Sequence, residues 1–235
     1  MIPLIVIRPQ PGADTTAAAA RALGLDPRVF PLFAVEPVNW EPPEPATIDA
    51  LLIGSANAVR HAGPDLARFR DKPAYVVGQT TAAACRDAGL TIAAVGSGGL
   101  EPVLATVTAH RHLLRLAGRE RLTLHPPAGV TLIERIVYAS IPLPLPGELT
   151  ELLRTPAAVL MHSAAAAEHF AAVCAHLSLD RTRLSLVTIG PRVTAACGAG
   201  WAQVVTAAAP DDAALLARAR QLCQNHDGTP GTVAD

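Results

Sequence analysis

The sequence has little charge and almost no lysine. Of its 235 residues 17% are charged, the formal net charge is −1, and Lys72 is the only lysine among 19 cationic side chains. Such a balance provides no broad basic surface for nucleic acid or for anionic lipid. We therefore expect neither a nucleic-acid partner nor a membrane partner.

Cysteines are also few, and long apolar runs are absent. Cys85, Cys174, Cys197 and Cys223 form no C-x-x-C pair, so the sequence predicts neither a metal site nor a disulfide framework. No run approaches the ~18 apolar residues of a membrane span. The short apolar run Leu4–Ile7 lacks the basic flank of a signal peptide and is predicted as a strand. These features together indicate a cytoplasmic protein.

The chain contains an internal repeat. The first copy comprises Leu51–Val59 and Tyr75–Cys85, and the second comprises Ala157–Ala166 and Val187–Cys197. Each copy has the pattern of a buried strand ending near a serine, a helix, a buried strand ending in glycine, and another helix. An internal repeat of this kind predicts two similar α/β halves.

Several loops in these halves follow a strand and open a helix. Helix N-termini at the carboxyl ends of parallel strands bind anionic ligands through backbone N–H groups. We expect several of these loops to face a cleft between the two halves. They follow Ile7, Ile53, Val77, Val95, Met161 and Ile189.

The number of strands predicts a discontinuous domain. Only three strands are predicted after Pro146, too few for a full sheet, so the N-terminal strand is expected to complete it. The extended, proline-containing segments between the halves can pair as a two-stranded ladder. The predicted boundaries are 1–32 with 146–224 for the first domain, 43–133 for the inserted domain, 33–42 with 134–145 for the ladder, and 225–235 for a disordered tail.

Within the inserted domain, Pro102–Leu116 is predicted as a helix and Leu122–His125 as the strand that follows it. On this interpretation His110 and His112 point to different faces of the helix and form no joint site. Only Pro126–Thr131 then separates the strand from the next extended segment.

Short motifs also occur in a characteristic order along the chain. They are Arg8-Pro9, Ser55 with Asn57-Ala58-Val59, Val77-Gly78-Gln79-Thr80-Thr81-Ala82, Ser97-Gly98-Gly99, Val137-Tyr138, His162-Ser163 and Ile189-Gly190-Pro191. In order and spacing they resemble the uroporphyrinogen-III synthase family over about residues 1–222. The resemblance implies two flavodoxin-like α/β domains with parallel sheets, joined by a two-stranded β-ladder.

The resemblance also implies an activity. A hydro-lyase of this family cyclises linear hydroxymethylbilane with loss of water and inversion of ring D, giving uroporphyrinogen III without a cofactor. We expect a monomer, with hydroxymethylbilane synthase as a transient partner. The substrate is a flexible polyanion, so a protein of net charge −1 is expected to bind it with backbone N–H groups at helix N-termini.

Tyr138 is the candidate catalytic residue. It is one of only two tyrosines and lies on the second extended segment. The resemblance implies that its phenol donates a proton or a hydrogen bond to the departing hydroxyl. A packing role at the edge of a domain remains the alternative.

The candidate substrate-binding residues follow strands or open helices. Ser55 and Ser163 can cap helices or contact the substrate, and Thr80 and Thr81 are expected both to cap a helix and to hold a carboxylate. Val193 replaces a threonine common in the family, so Arg192 is the expected cation in that loop. The full set is Arg8, Ser55, Asn57, Gly78, Gln79, Thr80, Thr81, Ser97, Gly98, Gly99, Ser163, Gly190 and Arg192.

Two alternatives remain open on the same scaffold. One is a non-catalytic protein that binds or senses a small molecule. The other is a weakly active paralogue, which Val193 and the short Pro126–Thr131 connection favour.

Overall fold

The computed structural model describes residues 2–226. The strands are β1 (Leu4–Val6), β2 (Pro27–Val29), β3 (Phe33–Pro37), β4 (Ala50–Ile53), β5 (Ala74–Val77), β6 (Ile92–Gly96), β7 (His112–Gly118), β8 (Thr131–Pro142), β9 (Ala157–Met161), β10 (Leu184–Thr188) and β11 (Gln203–Thr206). The α-helices are α1 (Gly12–Ala22), α2 (Ala56–His61), α3 (Gln79–Asp87), α4 (Leu100–Ala105), α5 (Gly147–Leu152), α6 (Ala164–His176), α7 (Pro191–Ala196) and α8 (Asp212–His226). Short 3₁₀ helices occur at Pro45–Thr47, Pro64–Phe69 and Arg181–Arg183.

The first sheet is parallel and has the strand order β11-β10-β9-β1-β2. Strands β1, β9 and β10 are buried along their whole length. Helices α5, α6 and α7 contribute to the core on one face, and α1 and α8 contribute to the core on the other. Coverage on both faces explains why β1 and β9 are continuous apolar runs.

The second sheet has the strand order β3-β8-β7-β4-β5-β6. Its strands from β8 to β6 are parallel. Helices α2 and α3 pack on one face of this sheet, and α4 packs on the other. Strand β3 lies at the edge of the sheet, where Pro37, which has no N–H group to donate, is tolerated.

Strand β3 and the end of β8 form a two-stranded ladder. The Leu143 N–H donates to the Leu32 carbonyl at 2.8 Å, and the Val38 N–H donates to the Val137 carbonyl at 3.0 Å. Residue numbers rise along one strand and fall along the other, so this pairing is antiparallel. Parallel α/β sheets with such a ladder confirm the predicted fold class.

The chain divides into two compact units. One contains the residues up to Ala34 and those from Pro142 onward, and the other contains Val35–Ile141. The first sheet belongs to the first unit, and most of the second sheet belongs to the second. None of the helices within residues 2–226 has the length and apolar character that a membrane span requires.

Two predicted elements of the second unit are wrong. Helix α4 ends at Ala105, and the segment predicted to continue it contains β7 instead. The predicted strand Leu122–His125 is irregular, and the Leu122 side chain is 71% exposed. The Leu, Arg and Ala residues of β7 favour helix, but burial on both faces of the sheet overrides that preference.

The helical placement of His110 and His112 is therefore wrong, although the two rings still have separate partners. His112 begins β7, and the His110 ring nitrogen Nδ1 lies 2.9 Å from the Tyr75 hydroxyl. The predicted tail also begins too early, because α8 continues through His226. Residues 227–235 of the predicted tail lie outside the described residues.

Candidate functional site

A cavity of about 310 Å³ opens in the second unit at the carboxyl ends of β4, β6 and β7. The carboxyl edge of a parallel sheet is where α/β proteins place their ligands. Four of the predicted site residues line this cavity: Ser55, Gly98, Gly99 and Tyr138. The structure therefore brings the candidate acid together with two of the predicted binding loops.

Tyr138 reaches the cavity from β8, the strand beside β7. Its backbone carbonyl accepts a hydrogen bond at 2.9 Å from the N–H of Arg119, the residue that follows β7. The ring is partly buried and lies 6.4 Å, centroid to centroid, from the ring of His61. Within residues 2–226 the phenol hydroxyl has no hydrogen-bond partner, so it is available to a ligand.

Ser55 and Asn57 lie at the start of α2. The Ser55 Oγ accepts a hydrogen bond from the Asn57 N–H at 3.2 Å, which is the predicted N-cap. The Asn57 Oδ1 accepts from Arg60 at 3.3 Å. Because Ser55 also lines the cavity, capping and substrate contact are compatible roles for it.

Helix α3 begins differently from the prediction. Gly78 is its N-cap residue, with φ at +79°, and no side chain caps the helix. The prediction that Thr80 or Thr81 provides the cap is therefore wrong. Gln79 and Thr80 are exposed, whereas Thr81 is only 5% exposed. The first-turn N–H groups of α3 are left for an outside acceptor.

The Ser97-Gly98-Gly99 loop joins β6 to α4. Gly98 and Gly99 have φ values of +76° and +118°, which residues other than glycine rarely adopt. Ser97 is exposed and does not line the cavity. The two glycines leave the backbone of this loop open to a ligand.

Arg115 lines the same cavity and was not predicted as a site residue. It lies on β7, its side chain is 4% exposed, and its Nη1 group bonds Glu134 on β8 and the Leu122 carbonyl at 2.9 Å. The sequence signal that could have identified Arg115 is a single arginine inside the apolar run of residues 113–117. It was missed because this segment was predicted as part of a helix.

In the first unit, Arg8 follows β1 and is held by Asp212 at the start of α8. The Arg8 Nη1 donates to both carboxylate oxygens of Asp212, at 3.0 and 2.9 Å, and to the Thr16 hydroxyl at 3.1 Å. The Thr16 hydroxyl donates to the same carboxylate at 2.6 Å. Much of the positive charge expected of Arg8 is thus neutralised within the protein.

His162, at the carboxyl end of β9, completes this cluster. Its Nε2 lies 3.2 Å from the Asp212 Oδ1, without the geometry of a hydrogen bond. The His162 ring, the Thr16 hydroxyl and the Arg8 charge lower the pKa of Asp212 to about 2, although burial opposes them. Burial lowers the pKa of His162 itself, so the ring is neutral near pH 7.

The remaining candidates of the first unit open helices. The Ser163 Oγ caps α6 by accepting from the Ala166 N–H at 3.1 Å. Gly190 precedes α7, and Arg192 is exposed with no ion pair among the described residues. Val193 is 6% exposed and packs in the core.

Comparison with family models then assigns the chain. The model described as uroporphyrinogen-III synthase HemD matches residues 14–217. The chain belongs to the uroporphyrinogen-III synthase family. Comparison with curated protein sequences finds no match.

Solved structures of uroporphyrinogen-III synthases share the fold. One is the enzyme from Helicobacter pylori, with 18% identity, a TM-score of 0.65, and coverage of 94% of this chain and 100% of the other. Another is a mutant enzyme from Thermus thermophilus, with 20% identity, a TM-score of 0.51, and coverage of 95% and 100%. At these identities the likeness shows the fold alone.

The described residues, 2–226, offer no cluster of side chains suited to bind a metal ion. Within residues 2–226 no group of three or more His, Cys, Asp or Glu side chains is placed to hold a metal ion. Burial raises the pKa of the thiols of Cys85, Cys174 and Cys197 to about 11, so they remain protonated.

Proposed function

We propose that this protein is a uroporphyrinogen-III synthase, a hydro-lyase that cyclises hydroxymethylbilane to uroporphyrinogen III. The observation that carries the proposal is the family match over residues 14–217. It is supported by a cavity that joins a tyrosine hydroxyl without a partner to open glycine loops at the edge of a parallel sheet.

In the proposed reaction the hydroxyl of the linear substrate leaves as water. Tyr138 donates a proton or a hydrogen bond to that hydroxyl, which improves the leaving group. The methylene carbon that loses the hydroxyl bonds to the ring D carbon that already carries the bridge to ring C, which gives a spiro-pyrrolenine intermediate. The old bridge bond then breaks and forms again at the free end carbon of ring D, which inverts the ring and closes the macrocycle. The hydrogen of that end carbon leaves as a proton when the pyrrole becomes aromatic again, and it restores the proton of the phenol.

The protein's further task is to hold a flexible polyanion in a reactive conformation. In the second unit we assign carboxylate binding to the uncapped first turn of α3, with Gly78, Gln79, Thr80 and Thr81. Positioning two reacting ends in this way supplies a large part of a rate enhancement. Further contacts are proposed for Ser55, Asn57, Ser97, Gly98 and Gly99.

In the first unit we propose Ser163, Gly190 and Arg192 as the substrate contacts. Arg192 is the stronger cation of the two predicted there, because it is exposed and makes no ion pair with a described residue. Arg8, bound to Asp212 and Thr16, is proposed to orient the loop after β1 and to contact the substrate with what remains of its charge.

We also propose the cellular setting of the enzyme. The proposed domains are a discontinuous one of residues 1–32 and 146–224 and an inserted one of residues 43–133, with residues 33–42 and 134–145 as the ladder between them. The protein acts as a monomer in the cytoplasm and receives its unstable substrate in transient contact with hydroxymethylbilane synthase. Its buried thiols suit a reducing compartment.

The decisive experiment supplies freshly generated hydroxymethylbilane to the purified protein and separates the oxidised products by isomer. We expect the type III isomer to replace the type I isomer that forms spontaneously. An unchanged type I product would overturn the synthase assignment and favour a non-catalytic protein that binds or senses a small molecule.

A further inference from the structure

The guanidinium of Arg115, one of the residues that line the cavity of the second unit, has an edge without hydrogen-bond partners in the described part of the chain. Its Nη1 group is occupied by Glu134 and the Leu122 carbonyl. Its Nε–H is buried and has no hydrogen-bond partner within residues 2–226. The described residues offer Nη2 no hydrogen-bond partner either, since every hydrogen bond of the guanidinium to them is made by Nη1.

Nε and Nη2 lie on the same edge of a planar guanidinium. Together they form the two-donor fork that matches the two oxygens of a carboxylate. A buried donor without a partner is unfavourable by roughly 1–3 kcal/mol, so a complete empty fork in a 96%-buried side chain calls for an acceptor that binds there. Arg115 lines the cavity, so the cavity is the space from which an acceptor can approach it.

The charges around the cavity permit an anion at this edge. Glu134 is the direct partner of Arg115 across the strands, and Arg121 approaches the same carboxylate at 3.4 Å, so this cluster keeps one net positive charge. Glu101 and Glu120 also line the cavity, but both are exposed. The charges of these two carboxylates are therefore screened by water, whereas that of Arg115 is not.

The remaining walls suit the same ligand. Ser55 contributes a hydroxyl, and Gly98 and Gly99 contribute backbone without side chains. A volume of about 310 Å³ accommodates one carboxylate-bearing arm and part of its ring, rather than a whole tetrapyrrole.

We propose that Arg115 binds, through Nε and Nη2, the carboxylate of an acetate or propionate arm of the substrate. This assignment rests on the proposed function for the identity of the substrate, but its chemistry requires only a carboxylate. Arg115 is a binding residue here. It fixes one pyrrole ring in the same cavity as Tyr138, and it takes no part in proton transfer.

The test compares Arg115→Lys with Glu134→Gln. Lysine keeps a positive charge beside Glu134 but loses the fork, whereas Glu134→Gln removes the ion pair and keeps the fork. We expect Arg115→Lys to raise KM for hydroxymethylbilane roughly 10- to 100-fold, with kcat within about threefold of wild type. Glu134→Gln should leave KM within about twofold of wild type, although it lowers the melting temperature.

A binding measurement separates this inference from the proposed activity. Fluorescence titration with uroporphyrin, the stable oxidised form of the proposed product, should give a Kd weakened roughly 10- to 100-fold in Arg115→Lys. If the wild-type protein binds uroporphyrin through Arg115 but forms no type III isomer, the synthase assignment is overturned and the carboxylate site at Arg115 is still supported. Equal affinity in Arg115→Lys and wild type, or no binding to wild type, would overturn the site itself.

The double variant Arg115→Gln with Glu134→Gln guards against misfolding, because it leaves no buried charge without a partner. If it melts as a folded protein and binds uroporphyrin as weakly as Arg115→Lys, the fork carries the affinity. If it binds like wild type, Arg115 serves only to pair with Glu134.

Discussion

The Tyr138 ring lies directly against the backbone of Gly118. A Cβ atom at position 118 would stand 2.6 Å from Cζ of Tyr138 and 2.9 Å from its hydroxyl oxygen. The two residues are partners across β7 and β8, at the point where the register of the two strands shifts. Only glycine leaves room for the ring at this position, so Gly118 fixes where the phenol enters the cavity.

Replacing Tyr138 by phenylalanine should reduce turnover strongly. The ring and its packing are kept, but the hydroxyl that we assign as the acid is lost, and positioned acid catalysis contributes on the order of 10²–10⁴-fold. We expect kcat to fall within that range while KM and the melting temperature stay close to wild type. Steady-state kinetics measure kcat and KM, and a thermal melt measures the melting temperature. A kcat within about twofold of wild type, under ~0.5 kcal/mol of barrier, would leave Tyr138 as a packing residue.

Gly118→Ala should displace the Tyr138 ring. The added methyl group overlaps the ring, and overpacking of this kind destabilises by roughly 1–3 kcal/mol. We expect a lower melting temperature and a lower kcat in the same variant. Gly147→Ala is the matched control, because a Cβ there meets nothing within 4 Å.

The coupling between Gly118 and Tyr138 can be measured with a double variant. If Gly118→Ala acts through the phenol, adding it to Tyr138→Phe should lower kcat little further, because the hydroxyl is already gone. Additive losses of kcat would instead mean that Gly118 contributes to turnover independently of Tyr138.

Thr81→Val should separate substrate binding from stability. The Thr81 hydroxyl makes no hydrogen bond within residues 2–226, so its loss should change the free energy of unfolding by under about 0.5 kcal/mol. If it holds a substrate carboxylate, KM should rise about tenfold. Thr81→Ser, which keeps the hydroxyl, should restore KM. Identical KM values in all three proteins would remove Thr81 from the site.

Folding stability should decrease as the pH falls below neutrality. Burial lowers the pKa of His162 below its usual 6.5, so the unfolded chain takes up a proton before the folded protein does. His61, also lowered chiefly by burial, acts in the same direction, whereas Asp212, with a pKa of about 2, stays ionised throughout this range. Urea unfolding at about pH 7.5 and 5.5 measures the loss. His162→Gln should show a smaller loss than wild type, and an equal loss would assign the effect elsewhere.

The sequence predicted the parallel sheets because their central strands are continuous apolar runs. Residues 50–53 and 157–161 are buried on both faces, which gives a signal that no amphipathic helix shares. Strand β7 has the same burial, yet its Leu, Arg and Ala residues carry helical propensity, and pattern reasoning then favoured the wrong element. Only the pairing of β7 with β4 and β8 distinguishes the two, and that pairing is not local.

Some residues of the candidate site were likewise predictable from local sequence, and others were not. Ser55 and the glycines at 98 and 99 were predicted because capping and positive φ have local sequence signals. The partners of Arg8 were not predictable, because Asp212 is 204 residues away along the chain and meets Arg8 only in the folded unit. Arg115 was missed because its unoccupied donors depend on the positions of Leu122 and Glu134.

The position of β1 in its sheet affects the order in which the protein folds on the ribosome. Strand β1 hydrogen-bonds to β9, which is synthesised about 150 residues later, whereas the Val35–Ile141 unit is synthesised in full before β9 begins at Ala157. The N-terminal strand therefore leaves the exit tunnel with one side unpaired and stays so while the inserted unit folds. A nascent chain stalled before Ala157 should expose that edge to chaperones and proteases, and one released after Thr206 should not.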